Sequence, residues 1–222
     1  MRIGSLPITV ILLSEDTENF PAGLLWHNYH CSPAGFVFLP MQLEEKVAAV
    51  REVLISLDEQ IATFQNQTSL HCKVGCGKCC FKPDIEATVL EFLPFALHLY
   101  QNKQAEVWLE KLDANQDSIC VILNPMQAGG LCSEYVHRGL ICRLFGYSAR
   151  TNKYGQKELV TCQIIKTEQA DAYNQSVQKI ESGLEVPVMS NFYMRLHAID
   201  YELTHTFYPI NEAIRRAIET VL

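Results

Sequence analysis

Residues 42–80 read QLEEKVAAVREVLISLDEQIATFQNQTSLHCKVGCGKCC, and two patterns meet there. In the first part Leu43, Val47, Val50, Leu54, Leu57, Ile61 and Phe64 step by 4, 3, 4, 3, 4 and 3 residues. That spacing puts them on one stripe of an α-helix. The stripe suits a long helix packed on its own domain. A coiled-coil dimer is the competing use, but three heptads barely reach the length such a seam needs. In the second part Cys72, Cys76, Cys79 and Cys80 form a C-x3-C-x2-C-C run with Gly75 and Gly77 interleaved. Thiolates are soft ligands suited to zinc and iron–sulfur clusters. A short loop that supplies several of them lowers the entropy of assembling a site. Glycines let such a loop bend and turn backbone N–H groups toward sulfur.

Moving outward, residues 1–40 hold Pro7, Pro21, Pro33 and Pro40 with Gly4, Gly23 and Gly35, and no period persists. They are expected to form an arm, with a helical domain over 41–222. C-terminal to the cysteine run, Pro83 and Asp84 mark a helix start. The spacing predicts helix over 84–113, bent or broken at Pro94. Residues 117–133 read as loop or short strand, with turns at Asn124-Pro125 and Gly129-Gly130. A further turn is expected around Asn152-Lys153-Tyr154-Gly155. Helices are predicted over 165–182 and 190–221, the latter with Phe192, Leu196, Ile199 and Leu203 on one face. The expected fold is mainly α: a small single domain of helices around a cysteine-rich metal-binding centre, with loops and few short strands.

Four more cysteines, Cys120, Cys132, Cys142 and Cys162, follow at wider intervals, and Cys31 stands apart. Structural zinc usually takes two C-x2-C knuckles, whereas this chain has one such step, Cys76 to Cys79. Three or four ligands in one tight loop look more like an iron–sulfur site. Eight cysteines could fill two four-thiolate sites, or one site with redox-active extras. In extended backbone the adjacent Cys79 and Cys80 would point apart, so one of them could serve a second metal. From Glu134 to Glu158, Arg138, Arg143, Arg150, Lys153 and Lys157 face only those two acids. A thiolate site is net negative, so Arg138 and Arg143, close to Cys142, are candidates to offset its charge. Lys153 and Lys157 suit a solvated face. Among seven histidines, His71 and His137 neighbour cysteines and are weaker ligand candidates, and His27 and His30 are weaker still.

Composition limits the function classes. A net charge of -7 argues against a general nucleic-acid binder. No stretch approaches the roughly 18 apolar residues of a membrane helix. The apolar run Ile8–Leu13 is too short for a secretory signal and is followed by Glu15, Asp16 and Glu18. A reducing cytoplasm is therefore expected, where cysteine clusters serve metals more often than disulfides.

The whole pattern resembles the YkgJ-like cysteine-cluster family of zinc- or iron-chelating proteins. That family has a compact C-x2/3-C-x2-C-C run, a lone cysteine, then C-x-x-Y-x-x-R-P-x-x-C-R-x-F and a final cysteine. Here the matching residues are Cys72, Cys76, Cys79 and Cys80, then Cys120. Cys132, Tyr135, Arg138, Cys142, Arg143 and Phe145 follow, and Cys162 closes the pattern. Gly139 departs from it by standing where the family has proline, which loosens a turn and removes no ligand. The resemblance implies metal binding by the eight cysteines and covers about residues 72–162.

Three functions compete. The first is an iron–sulfur protein, with a 4Fe–4S cluster, in electron transfer, cluster handling or redox sensing. The second is a zinc-stabilised interaction module. The third is a radical S-adenosylmethionine or protein-methylation enzyme. The radical reading rests on Cys72-x3-Cys76-x2-Cys79, and the helical context after that motif counts against it, while the methylation reading comes only from what the family resemblance implies. No substrate, catalytic residue or protein partner is legible.

Overall fold

The computed structural model describes residues 41–222 apart from 74, 75, 116, 125 and 127–130; the expected N-terminal arm lies outside them. Helix α1 spans Leu43–Thr68, with Glu44 and Glu45 in its first turn. Acidic groups there complement the positive end of the helix dipole. Val47, Val50, Leu54, Leu57, Ile61 and Phe64 of the stripe are all buried. Each such side chain removed from water contributes about 1.5–3 kcal/mol. The helix ends where Ser69 adopts a positive φ of 59°.

The stretch after the cysteine run departs from expectation. Residues 84–92 are not α-helical: a short strand β1 (Glu86–Ala87) leads into a 3-10 turn at Leu90–Phe92. Helix α2 (Leu93–Gln101) begins there, with Pro94 in its first turn. Proline costs nothing in that position because the N–H it lacks has no helical partner anyway. Pro94 therefore starts a helix rather than breaking one. The break falls later, at Lys103 with φ 56°, before α3 (Ala105–Ala114).

Strands β2 (Leu123–Asn124) and β3 (Leu131–Cys132) pair antiparallel. The two turns expected between them fall largely outside the described residues. Next come the short helix α4 (Leu140–Leu144) and the hairpin of β4 (Ser148–Thr151) and β5 (Lys157–Val160). Its turn is where the sequence places it. Asn152 Oδ1 accepts from the Tyr154 and Gln156 N–H groups, and Gly155 takes φ 79°. Helices α5 (Gln163–Glu168), α6 (Ala170–Glu181) and α7 (Met189–Ile199) follow. Strand β6 (Tyr208–Pro209) pairs with β1 and opens α8 (Ile210–Val221). The mainly helical fold with few short strands is as expected.

Two buried clusters organise the domain. The larger packs α1, α2, α3, α7 and α8 together and includes Leu57, Phe92, Phe95, Trp108, Leu196 and Ile214. The stripe of α1 is thus covered by α2, α4, α6 and α7 of its own chain. The smaller cluster gathers Phe64, Leu70, Ala149, Leu159, Ile165, Ile180 and Val186 around the β4–β5 hairpin. Cys80, Cys132 and Cys142 pack against the first cluster, Cys162 packs against the second, and Tyr147 touches both. The cysteines therefore sit at the seam.

Candidate metal centre

The cysteines arrive on several kinds of support. Cys72 and Cys76 lie in the loop after α1, where the Cys76 N–H donates to the Lys73 carbonyl at 3.0 Å. Cys79 and Cys80 occupy a 3-10 turn, Lys78–Phe81, closed by the Cys80 N–H on the Gly77 carbonyl at 2.9 Å. Cys120 precedes β2, Cys132 ends β3 and Cys142 is central in α4. Cys162 caps α5, its Sγ accepting from the Ile165 N–H at 3.4 Å.

These supports bring the eight sulfurs to two adjoining cavities. One, of about 600 Å³, is lined by every cysteine of the set except Cys120. The other, of about 240 Å³, is lined by Cys79, Cys80, Cys120 and Cys142. Cys79, Cys80 and Cys142 border both. The electrostatic neighbourhoods cut across the two sequence groups. Cys72 feels Cys76, Cys162 and Cys79, whereas Cys80 feels Cys79, Cys120 and Cys142. Cys120 and Cys142 each feel Cys132. Cys79 is common to an outer set (Cys72, Cys76, Cys162) and an inner set (Cys80, Cys120, Cys132, Cys142).

Burial dominates the thiol chemistry. It pushes Cys120 up to about 11 and Cys142 well above the usual thiol value, while partial burial together with the Cys76, Cys162 and Cys79 charges raises Cys72 to about 11. Cys132 moves up mainly through burial. Cys79 is the exception, lowered to about 6. The largest cause is the Cys80 thiol, which donates to the Cys79 sulfur, and the Arg138 charge assists. Cys80 is raised because ionising it would lose that donated bond.

Residues 71–163 match the model of the CxxCxxCC family. Its description is “Putative zinc- or iron-chelating domain”. The resemblance read from the cysteine spacing is therefore borne out, and the matched segment contains all eight clustered cysteines. That match supports metal binding by this segment. No curated protein matches the chain. No solved structure matches it. No helix among the described residues is long and apolar enough to cross a membrane.

Within the CxxCxxCC segment the two arginines differ. The Arg138 guanidinium lies 3.8 Å over the Tyr135 ring, and its buried Nε has no hydrogen-bond partner. Its charge acts on Cys79, Cys132 and Cys142. An orphaned cationic donor beside thiols fits an anionic metal–thiolate centre. Arg143 has its nitrogens engaged by protein. It pairs with Asp58 of α1, and it donates to the Arg138 carbonyl at 3.0 Å and the Val136 carbonyl at 2.7 Å. It ties the 136–138 turn to α1.

Sequence reasoning missed the acid beneath α4. Glu91 is fully buried. Its Oε1 accepts from the Thr88 N–H at 2.7 Å and the Thr88 hydroxyl at 3.0 Å. Its Oε2 accepts from the Ile141 N–H at 2.8 Å, which anchors the helix carrying Cys142. Burial raises its carboxyl to about 7 against those bonds. The one available signal was an acid inside the apolar run 89–97. Gly139 belongs to the same contact. Its φ of -64° is one that proline also adopts, so the turn is not loosened by the exchange. A Cβ there would lie 2.8 Å from Glu91 Oε2 and 2.8 Å from the Phe92 ring. Close approach, rather than backbone freedom, accounts for glycine here.

His71 borders the larger cavity and its Nδ1 lies 3.0 Å from the Ser69 carbonyl. Gln169 clamps its backbone on both sides, accepting from the N–H at 3.1 Å and donating to the carbonyl at 2.7 Å. His137 borders neither cavity and stacks on His98 at 4.2 Å. Arg150 and Lys157 pair with Glu158 and Glu185, and Lys153 lies over Tyr154, which suits a solvated face. His27 and His30 lie outside the described residues.

Proposed function

We propose that four of the eight cysteines ligate an iron–sulfur cluster of the 4Fe–4S type, the other four forming a second four-thiolate site or serving as redox-active extras, and that the protein works in electron transfer or cluster handling in a reducing, cytoplasmic setting. The observation that carries this reading is how the sulfurs are spaced. Among the described residues no three cysteine sulfurs lie within 4.8 Å of one another. A single tetrahedral zinc, with Zn–S near 2.3 Å, needs its four sulfurs about 3.8 Å apart. A cluster binds each cysteine through a different iron and so accepts wider spacing.

In this reading the inner set, Cys80, Cys120, Cys132 and Cys142, supplies one group of ligands. The outer set, Cys72, Cys76 and Cys162, supplies a second, and Cys79 stands between them. The cluster would contribute one-electron redox chemistry. Arg138 supplies positive charge and an unpaired donor toward the thiolates, which stabilises the more negative, reduced form. Arg143 positions Arg138 through its carbonyl.

Structural zinc is the second reading. The hydrogen-bonded pairs Cys72–Cys76 and Cys79–Cys80 favour it, because each pair has the close contact that zinc requires. No third sulfur joins either pair at that range. Anaerobic purification followed by iron, acid-labile sulfide and zinc analysis separates the two. Stoichiometric iron and sulfide, with visible absorption bleached by dithionite, is the expected result. A colourless protein holding only zinc would overturn the iron–sulfur assignment.

A further inference from the structure

The residues between the family's motif positions carry a second constellation. One ligand atom from each of His98, Glu134 and His137 lies within 4.8 Å of the other two, and all three side chains are half-buried. We propose that these three residues form a separate, sulfur-free site for one divalent first-row transition ion.

The site is assembled from two elements. His98 stands in the last turn of α2. Glu134 and His137 flank a single 3-10 turn, Tyr135–His137, closed by the His137 N–H on the Glu134 carbonyl at 2.9 Å. Three residues per 3-10 turn bring Glu134 and His137 to the same side of it. The surroundings fix the donors in place. The His137 ring stacks on His98 at 4.2 Å and on Phe95 at 5.7 Å, and Phe95 packs edge-on against Trp108 at 5.1 Å. The Asn102 amide lies 3.2 Å from His98 Nδ1 and donates to the His98 carbonyl at 2.7 Å, which orients that ring. Arg143 grips the carbonyls of Val136 and Arg138, on either side of His137.

The chemistry of the set selects its ligand. Two imidazoles and one carboxylate suit zinc, iron(II), cobalt or nickel and are poor partners for calcium or magnesium. Three protein donors leave at least one coordination position for water or an exogenous ligand. Burial, and then the neighbouring His98, Arg51 and Arg143, disfavour the protonated form of His137. The same two arginines oppose a bound cation, while the Glu134 carboxylate favours one and has no ion-pair partner among the described residues. The site is thus expected to bind more weakly than the cysteine centre and to exchange its ion. It does not depend on whether that centre holds iron or zinc.

The test is a Co²⁺ titration of the full chain, purified anaerobically with its resident metal. One further equivalent should bind with weak visible ligand-field bands and without the strong thiolate-to-cobalt charge-transfer absorption. His98→Ala and His137→Gln should each weaken that binding more than ~10-fold. Both should leave the resident metal content unchanged. His98→Ala leaves the His137 and Phe95 packing in place, so it remains decisive if His137→Gln fails to fold. Failure of the wild type to bind the extra ion would overturn the site. Unchanged affinity in His98→Ala, or thiolate charge transfer accompanying the extra equivalent, would do the same.

Discussion

The inner and outer cysteines differ in what surrounds them. Cys80, Cys132 and Cys142 pack on the main apolar cluster, Cys120 is itself part of it, and Glu91 anchors the helix beneath Cys142. Cys72 is exposed and Cys76 is partly so, on a loop held by the His71–Gln169 clamp and by contact of Tyr147 with the Cys72 backbone. Burial keeps the inner thiols Cys120, Cys132 and Cys142 toward their neutral form, so ionising them as ligands calls for positive charge beside them, to which Arg138 contributes at Cys132 and Cys142. Of the outer set Cys72 is exposed, whereas Cys76 and Cys162 are half-buried, and of the inner set Cys120 is buried. On the proposed reading, the inner set would act as a structural half and the outer set as an exchangeable half across the two adjoining cavities.

Breaking that contrast gives the largest expected effect. Cys142→Ser or Cys80→Ser should remove most of the bound metal and lower the melting temperature by on the order of 10 °C, since metal binding in such sites is folding energy. Cys72→Ser should leave melting within ~3 °C while speeding metal loss to a chelator. Metal analysis and calorimetry on the same preparations check both, and equal losses in the two halves would dissolve the distinction.

Glu91→Ala comes next. It strands the Thr88 and Ile141 N–H groups in the interior, a cost of about 3 kcal/mol, measurable by denaturant unfolding. Gly139→Ala should cost about 2 kcal/mol, because the new methyl meets Glu91 and Phe92 at 2.8 Å. Arg143→Gln should cost about 1–2 kcal/mol through its lost carbonyl contacts. The smallest stability effect is expected from Arg138→Gln, since its Nε has no partner to lose. Its effect should instead show in redox titration, as a more negative reduction potential.

Legibility followed the range of the interactions involved. The stripe of α1 could be read because a 3.6-residue period is local. Pro94 was harder, because the same residue breaks a helix interior and opens a helix end. Which applies depends on β1 pairing with β6 from the far end of the chain. The eight cysteines were visible through their spacing, but their division was not. Cys162 joins Cys72 and Cys76 because the β4–β5 hairpin returns the chain beside α1, and Cys80 turns from Cys72 toward Cys120. His98 lies far from His137 in sequence, so nothing in either neighbourhood announced their contact.

The sequence by itself determined a helical domain and a set of metal-capable thiols, because helix periodicity and ligand chemistry belong to residues and their near neighbours. The tertiary packing settles which sulfurs share a wall, which arginine nitrogen is left without a partner, and that Glu91 lies beneath α4 and His98, Glu134 and His137 lie together. Those facts depend on packing between distant segments, where burial and charge are set by whatever the fold brings alongside.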